Sequence, residues 1–268
     1  MFRTFPLYEI RAYTYFNMFT AEVQFTIPGS VDNAEDLIHS LLAPWRKHGQ
    51  VLSQDWAFVK KGNRYRTNVM IFDKDSLDAK YDNKYAQKAR REFALQIKIL
   101  GEDPFSADIC HCKKSSFYIL YTNYICLESP LRCGDCFGPL PLYEIPAMES
   151  KSGELHDQIN SWRSHYQSCD SLQMGCSVGE KFGTREMSLH DSNLSQQGIA
   201  ICTDITKATA ISTYYYLYRY NSRSRASEIK RKCPSCGGDW LLDEPLHDLF
   251  DFKCDRCRLL SNIAFSIR

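Results

Sequence analysis

Four cysteines near the end of the chain, Cys233, Cys236, Cys254 and Cys257, have the residue type and spacing of a metal site. Cys233-Pro-Ser-Cys236 and Cys254-Asp-Arg-Cys257 are separated by 17 residues, within the range of four-cysteine zinc modules. Two residues between paired cysteines let a tight turn bring both thiolates to about 2.3 Å from one ion. Gly237 and Gly238 supply permissive backbone just after the first turn. Four thiolates close a tetrahedron and leave no position for water or substrate, so the spacing predicts one structural Zn2+ rather than a catalytic one. A module of roughly forty residues buries too little apolar surface to fold alone, so metal removal is expected to unfold it. Trp240, Leu241, Leu242, Phe250 and Phe252 are its expected core, and Leu259, Leu260, Ile263 and Phe265 a final strand.

Cys133-Gly-Asp-Cys136 is a second Cys-x-x-Cys. A thioredoxin-like role needs such a motif at a helix N-terminus, where the dipole lowers a thiol pKa. Pro139 and Pro141 follow closely and argue against that helix. A second zinc needs two partners from Cys110, His111, Cys112, Cys169 and Cys176, none at ribbon spacing; the bland alternative is a turn with buried thiols. His156, His165 and His190 fall in expected helices without a catalytic pattern around them. No Gly-rich phosphate loop, Gly-x-Ser-x-Gly or His-Glu-x-x-His motif is present, and a non-enzymatic protein is expected.

The elements that must position these cysteines follow from periodicity. Glu22 to Ile27 alternates as a strand and ends at Pro28-Gly29. Asp32 and Glu35 have capping-box spacing ahead of a helix whose stripe is Ala34, Leu37, Ile38, Leu41, Leu42 and Trp45. Val51 to Lys60 and Arg64 to Phe72 read as strands around Lys61-Gly62-Asn63. A second helix is predicted over Asn83 to Leu100, with Tyr85, Ala89, Phe93, Ile97 and Leu100 on one side, and a strand over Ser116 to Thr122. The order β-α-β-β-α-β predicts a ferredoxin-like unit. Helices are expected from Gly153 to Cys169, between Val178 and Gln196, and from Gly198 to Thr206. A strand is expected from Thr213 to Tyr220 and a hydrophilic hinge from Asn221 to Ser227. The expected fold class is α+β, with a ferredoxin-like domain over 1–126, a mixed α/β region over 127–226 and a zinc ribbon over 227–268.

Bulk composition narrows the partners. Hydrophobic content of 44% and charged content of 24% are those of a globular protein. Lys plus Arg number 33 against 32 Asp plus Glu, a net charge of +1, so any phosphate-binding surface must be local. Arg219, Arg223, Arg225, Lys230, Arg231 and Lys232 adjoin Tyr216, Tyr218 and Tyr220, a combination that suits single-stranded nucleic acid. Asp239, Asp243, Glu244, Asp248, Asp251 and Asp255 beside them oppose it. Charges interrupt the first eleven residues, no long apolar run follows, and the 12 cysteines exceed what a chain this size needs as staples. A cytoplasmic location with no membrane association is expected.

The wording of several segments carries a resemblance. Ser129 to Tyr143, Cys169 to Cys176, Tyr214 to Arg219, Cys233 to Leu242 and Phe250 to Asn262 together resemble a bacterial zinc-ribbon-containing family to which nucleic-acid binding is ascribed. The resemblance spans about residues 115–268. Some members also resemble immunity proteins of Rhs-type polymorphic toxins. That implies a protein partner: the chain would bind a cognate secreted antibacterial toxin domain, with an ADP-ribosyltransferase among the candidates, and sterically block its active site. The alternative is a zinc-ribbon nucleic-acid-binding protein.

Overall fold

In the computed structural model, which describes residues 18–27, 33–106, 108–150 and 153–267, alternation builds the first sheet. Phe19, Ala21, Val23 and Phe25 of β1 (Phe19–Thr26) are buried, with half-buried residues between them. They pack against Ile38, Leu41, Leu42 and Trp45 of α1 (Ala34–Lys47) and Ala86 and Ala89 of α2 (Lys84–Arg90). Asn83 caps α2 by accepting from the N–H groups of Tyr85 and Ala86 at 3.0 and 2.9 Å. Buried Asp82 ties the helices together, accepting from Trp45 Nε1 at 2.8 Å and pairing with Arg90 at 2.5 Å. With β2 (Val59–Lys61), β3 (Arg64–Ile71) and β4 (Ala94–Glu102), the sheet runs β2-β3-β1-β4, every pair antiparallel.

The helix predicted over Asn83 to Leu100 stops at Arg90, and the rest becomes β4. Phe93 and Ile97 fit a helical stripe, but Leu95, Ile97 and Ile99 also alternate. Without β4 one edge of β1 would be left unpaired; Val23 faces Ile97 and Ala21 faces Ile99 across that edge. Of the strand expected from Val51 to Lys60, β2 forms at its end and Val51 makes a single bridge to Ile71. The Pro28-Gly29 stop, the Asp32 cap and the first eleven residues lie outside the described residues.

Residues expected to close this sheet join another. β5 (Tyr118–Leu120) and β6 (Leu131–Cys133) form one edge of a sheet ordered β10-β11-β12-β9-β5-β6. Between them and β9 come a small hairpin, β7 (Glu149–Ser150) and β8 (Gly153–Glu154), and three helices, α3 (Leu155–Met174), α4 (Glu180–Ser188) and α5 (Asn193–Thr209). β9 (Thr213–Leu217) pairs in parallel with both β5 and β12 (Leu259–Ser261). β10 (Leu241–Leu246) and β11 (Phe250–Cys254) complete the other edge, after a short α6 (Arg225–Glu228) in the expected hinge. The sheet draws strands from both sides of residues 126 and 226, so the boundaries expected there cut through it.

All five residues of β9 are buried. Tyr215 and Leu217 meet Trp162, Ile201 and Ile205 from α3 and α5, while Tyr214 and Tyr216 meet Ile119, Phe250 and Leu260 on the other face. In the C-terminal core Trp240, Phe250 and Phe252 are buried, but Leu241 is exposed, and exposed Phe265 lies beyond β12. The α+β chain joins its halves where α1 ends. Lys47 Nζ lies 3.2 Å from Glu154 and 2.6 Å from Asp157, and Asn160 donates to the Lys47 carbonyl at 2.8 Å. Among the described residues no helix is long and apolar enough to cross a membrane.

α5 approaches β9 so closely that a Cβ on Gly198 would lie 2.0 Å from the Tyr215 ring. Gly198→Ala is therefore expected to destabilise the chain by about 1–3 kcal/mol in urea unfolding. An unchanged midpoint would contradict this packing.

Candidate metal centres

The sulfurs of Cys233, Cys236, Cys254 and Cys257 lie within 4.8 Å of one another. Four bonds of about 2.3 Å in a tetrahedron place sulfurs about 3.8 Å apart, and Cys236 Sγ is 3.7 Å from Cys254 Sγ. The first pair sits on a closed turn: Cys233 N–H donates to the Gly238 carbonyl and Gly237 N–H to the Cys233 carbonyl, both at 2.9 Å. Closing it requires a left-handed residue just after the second cysteine, and Gly237 has φ 71°. Arg258 takes the same place after Cys257 with φ 53°. Its carbonyl accepts from Tyr215 N–H at 2.9 Å, which fastens the turn to β9.

A second cluster has the same design. Cys110, Cys112, Cys133 and Cys136 also bring four sulfurs within 4.8 Å of one another. Cys133 N–H donates to the Gly138 carbonyl and Phe137 N–H to the Cys133 carbonyl, again both at 2.9 Å. Phe137 occupies the left-handed position with φ 62°, unfavourable for a residue with a Cβ. Its ring holds it there, stacked on His247 at 5.1 Å and edge-on to Tyr121 and Phe250. His247, from the turn between β10 and β11, also hydrogen-bonds the Gly134 carbonyl at 2.8 Å. The backbone at Cys110 approaches so closely that a Cβ on Gly138 would lie 2.8 Å from Cys110 N.

The single ion expected from spacing is therefore corrected to two four-cysteine clusters able to hold a metal. Of the candidate partners for Cys133 and Cys136, the fold selects Cys110 and Cys112. Cys169 is buried on α3 among the core side chains, and Cys176 lies beyond that helix with its thiol near the Gln173 carbonyl. Cys110 and Cys112 have one residue between them rather than two, so ribbon spacing does not single them out. Among the 12 cysteines none is in a disulfide.

Each cluster concentrates anionic character on one sulfur. Burial opposes ionisation of Cys133, but the Ser115 hydroxyl and the N–H groups of Cys136 and Asp135 outweigh it and hold the pKa below the ordinary thiol value. Burial raises Cys110, and raises Cys136 to about 11. In the other cluster the Gly238 N–H and the Cys257 thiol lower Cys236 to about 7, while burial and crowding by the other thiols push Cys254 up to about 12. Four thiolates so close repel one another, and a divalent cation is what lets all four ionise together.

The two cysteine clusters are expected to hold one metal ion each, with Cys254→Ser and Cys133→Ser each lowering the measured stoichiometry by one. Gly138→Ala should act like Cys133→Ser while sparing the other ion. Because coordination needs deprotonated sulfur, acidification should release both ions. Complete chelation should lower the thermal midpoint, and a midpoint indifferent to metal would contradict a structural role.

Three family models, each described as a domain of unknown function, match the chain: DUF8589 over residues 18–101, DUF2310 over 112–218 and DUF8594 over 222–267. None of these descriptions names a zinc ribbon or a toxin immunity protein. An uncharacterized protein of Haemophilus influenzae (strain ATCC 51907 / DSM 11121 / KW20 / Rd) is 31% identical over 262 residues, covering 93% of this chain and 99% of the relative. A second uncharacterized protein of that strain is 38% identical over 170 residues, covering 63% of this chain and 82% of the relative. No solved structure matches the chain. With near-full coverage on both sides, the chain belongs to the same family as the first of these uncharacterized Haemophilus influenzae proteins.

Proposed function

We propose that the protein is a zinc-stapled binding protein of the cytoplasm that covers a surface on a protein partner, and that this partner is a cognate toxin domain whose active site it blocks. In this reading both clusters hold Zn2+, the C-terminal strands are a zinc ribbon, and the first unit is ferredoxin-like, its helices on one face of an antiparallel sheet. Free thiols fit a reducing compartment.

The observation that carries the reading is an exposed apolar face beside α3. Tyr124, Leu127 and Leu172 line one shallow depression. Ile125 is 67% exposed, and Val178, 82% exposed, precedes Gly179, which packs on Leu172. Apolar and aromatic residues gathered on a surface are a common signature of a binding site.

The nucleic-acid alternative loses much of its basis. Arg219 and Arg231 pair with buried Glu228 at 3.0 and 3.5 Å, and the Arg231 guanidinium stacks over Trp240 and Phe252 at 4.8 and 4.3 Å. Lys232 pairs with Asp239. Of the tyrosines expected to stack on bases, Tyr216 is buried in the core, while Tyr218 and Tyr220 are half-buried with their rings stacked on each other at 6.4 Å. Arg223, Arg225 and Lys230 are left exposed.

The test is complex formation with the toxin domain encoded beside the gene, and protection of cells that express it. Ile125→Asp with Val178→Asp should weaken the complex by about 2 kcal/mol or more while leaving metal content unchanged. A folded, metal-loaded protein that neither binds nor protects would sink the immunity reading. Oligonucleotide binding at micromolar concentration and low salt would favour the alternative.

A further inference from the structure

Where α1 meets α3, a third cluster of ligating side chains differs in kind from the cysteine sites. His48, the residue that ends α1, Glu154, the residue that precedes α3, and His156 in its first turn place three donor atoms within 4.8 Å of one another. Glu154 Oε1 lies 3.4 Å from His48 Nε2 and 3.8 Å from His156 Nδ1. Donors about 2.0–2.1 Å from a tetrahedral ion sit about 3.4 Å apart, so these separations are at and slightly beyond that spacing.

Hydrogen bonding turns one nitrogen of His156 to the centre. His156 Nε2 lies 2.9 Å from the Leu142 carbonyl, which can only accept, so Nε2 donates and Nδ1 is the nitrogen that faces Glu154. An imidazole oriented by a carbonyl on its far nitrogen is the usual second shell of a metal-bound histidine. His156 is fully buried, and among the described residues neither His156 Nδ1 nor His48 Nε2 makes a hydrogen bond. The rings stack at 4.4 Å with 13° between their planes, so His48 must turn about its Cβ–Cγ bond for both lone pairs to meet at one ion. Lys47 engages the other carboxylate oxygen, Oε2, at 3.2 Å, leaving Oε1 to the histidines. Two ring nitrogens buried without a hydrogen bond beside one carboxylate oxygen are polar groups that a cation would satisfy.

We infer that His48, Glu154 and His156 form a third metal site, for a divalent transition ion such as Zn2+, with a coordination position open to the adjoining cleft. Imidazole and carboxylate together suit such ions. Three protein ligands, unlike four thiolates, leave a place for water or an added ligand. The cleft, of about 470 Å3, is lined by His48 and Glu154 together with Tyr81, Tyr143 and Met148. An oxygen donor on a small molecule entering there would reach the ion. This site goes beyond the binding reading and does not depend on it.

The test is a titration of Co2+ into full-length protein loaded with two equivalents of zinc, which the softer thiolate clusters take first. The expected result is one further equivalent whose spectrum lacks sulfur-to-cobalt charge-transfer bands and shifts when azide is added. His48→Gln and Glu154→Gln should each weaken that equivalent by more than the about 10–100-fold that loss of an outer-shell partner causes. Both should keep the zinc at the cysteine clusters, which reports a folded chain. Absence of a thiolate-free equivalent in the unmodified protein, or its persistence in both variants, would overturn the site. A third equivalent that ignores azide would overturn the open position.

Discussion

The parallel pairing of β9 with β5 on one side and β12 on the other is the contact on which both cysteine clusters depend. β9 is short and buried on both faces, so its backbone groups find partners only if both neighbours are in place. One neighbour belongs to the hairpin that ends in Cys133, and the other follows the turn that ends in Cys257. A single buried strand thereby holds apart, and in register, two metal turns about a hundred residues distant in sequence. The aromatic contact of Phe137 with His247 and Phe250 repeats the link across one face of the sheet.

Much of this was legible in the residues, and what was not has identifiable causes. The C-terminal cysteines announce themselves because their spacing is dictated by local turn geometry. β1 and α1 were readable because each has one clean period. β4 was not: Phe93, Ile97 and Leu100 satisfy a helix while Leu95, Ile97 and Ile99 satisfy a strand, and only the open edge of β1 decides between them. Cys110 and Cys112 stand among several candidate partners of Cys133 and Cys136, and spacing does not select them, because it is the close approach at Gly138 that brings Cys110 to Cys133. The basic run from Arg219 to Lys232 looked like a surface feature, yet the buried Glu228 carboxylate turns Arg219 and Arg231 into structural pairs. His48 and His156 stand far apart in sequence, and only the junction of α1 with α3 stacks them.

The three clusters represent two coordination chemistries. Four thiolates on closed turns leave a bound ion no free coordination position and suit it to bracing the sheet. The histidine and carboxylate set lies where α1 meets α3, beside a cleft rather than inside a turn. An ion in the first kind of site stabilises a surface, and an ion in the second is available to a ligand.

The repeated turn at Cys133 and Cys233 also bears on the order in which the chain is assembled. A ribosome releases the N-terminal segments first, so Cys110, Cys112, Cys133 and Cys136, with the β5 and β6 hairpin between them, emerge well before β9 or β12 exists. The parallel contacts that complete the sheet are non-local and slow to find. An ion captured early by the first cluster would hold one edge of the sheet open as a template, and later strands would add to it in turn. The second cluster, made from residues that appear later, would then act as the clasp that shuts behind them.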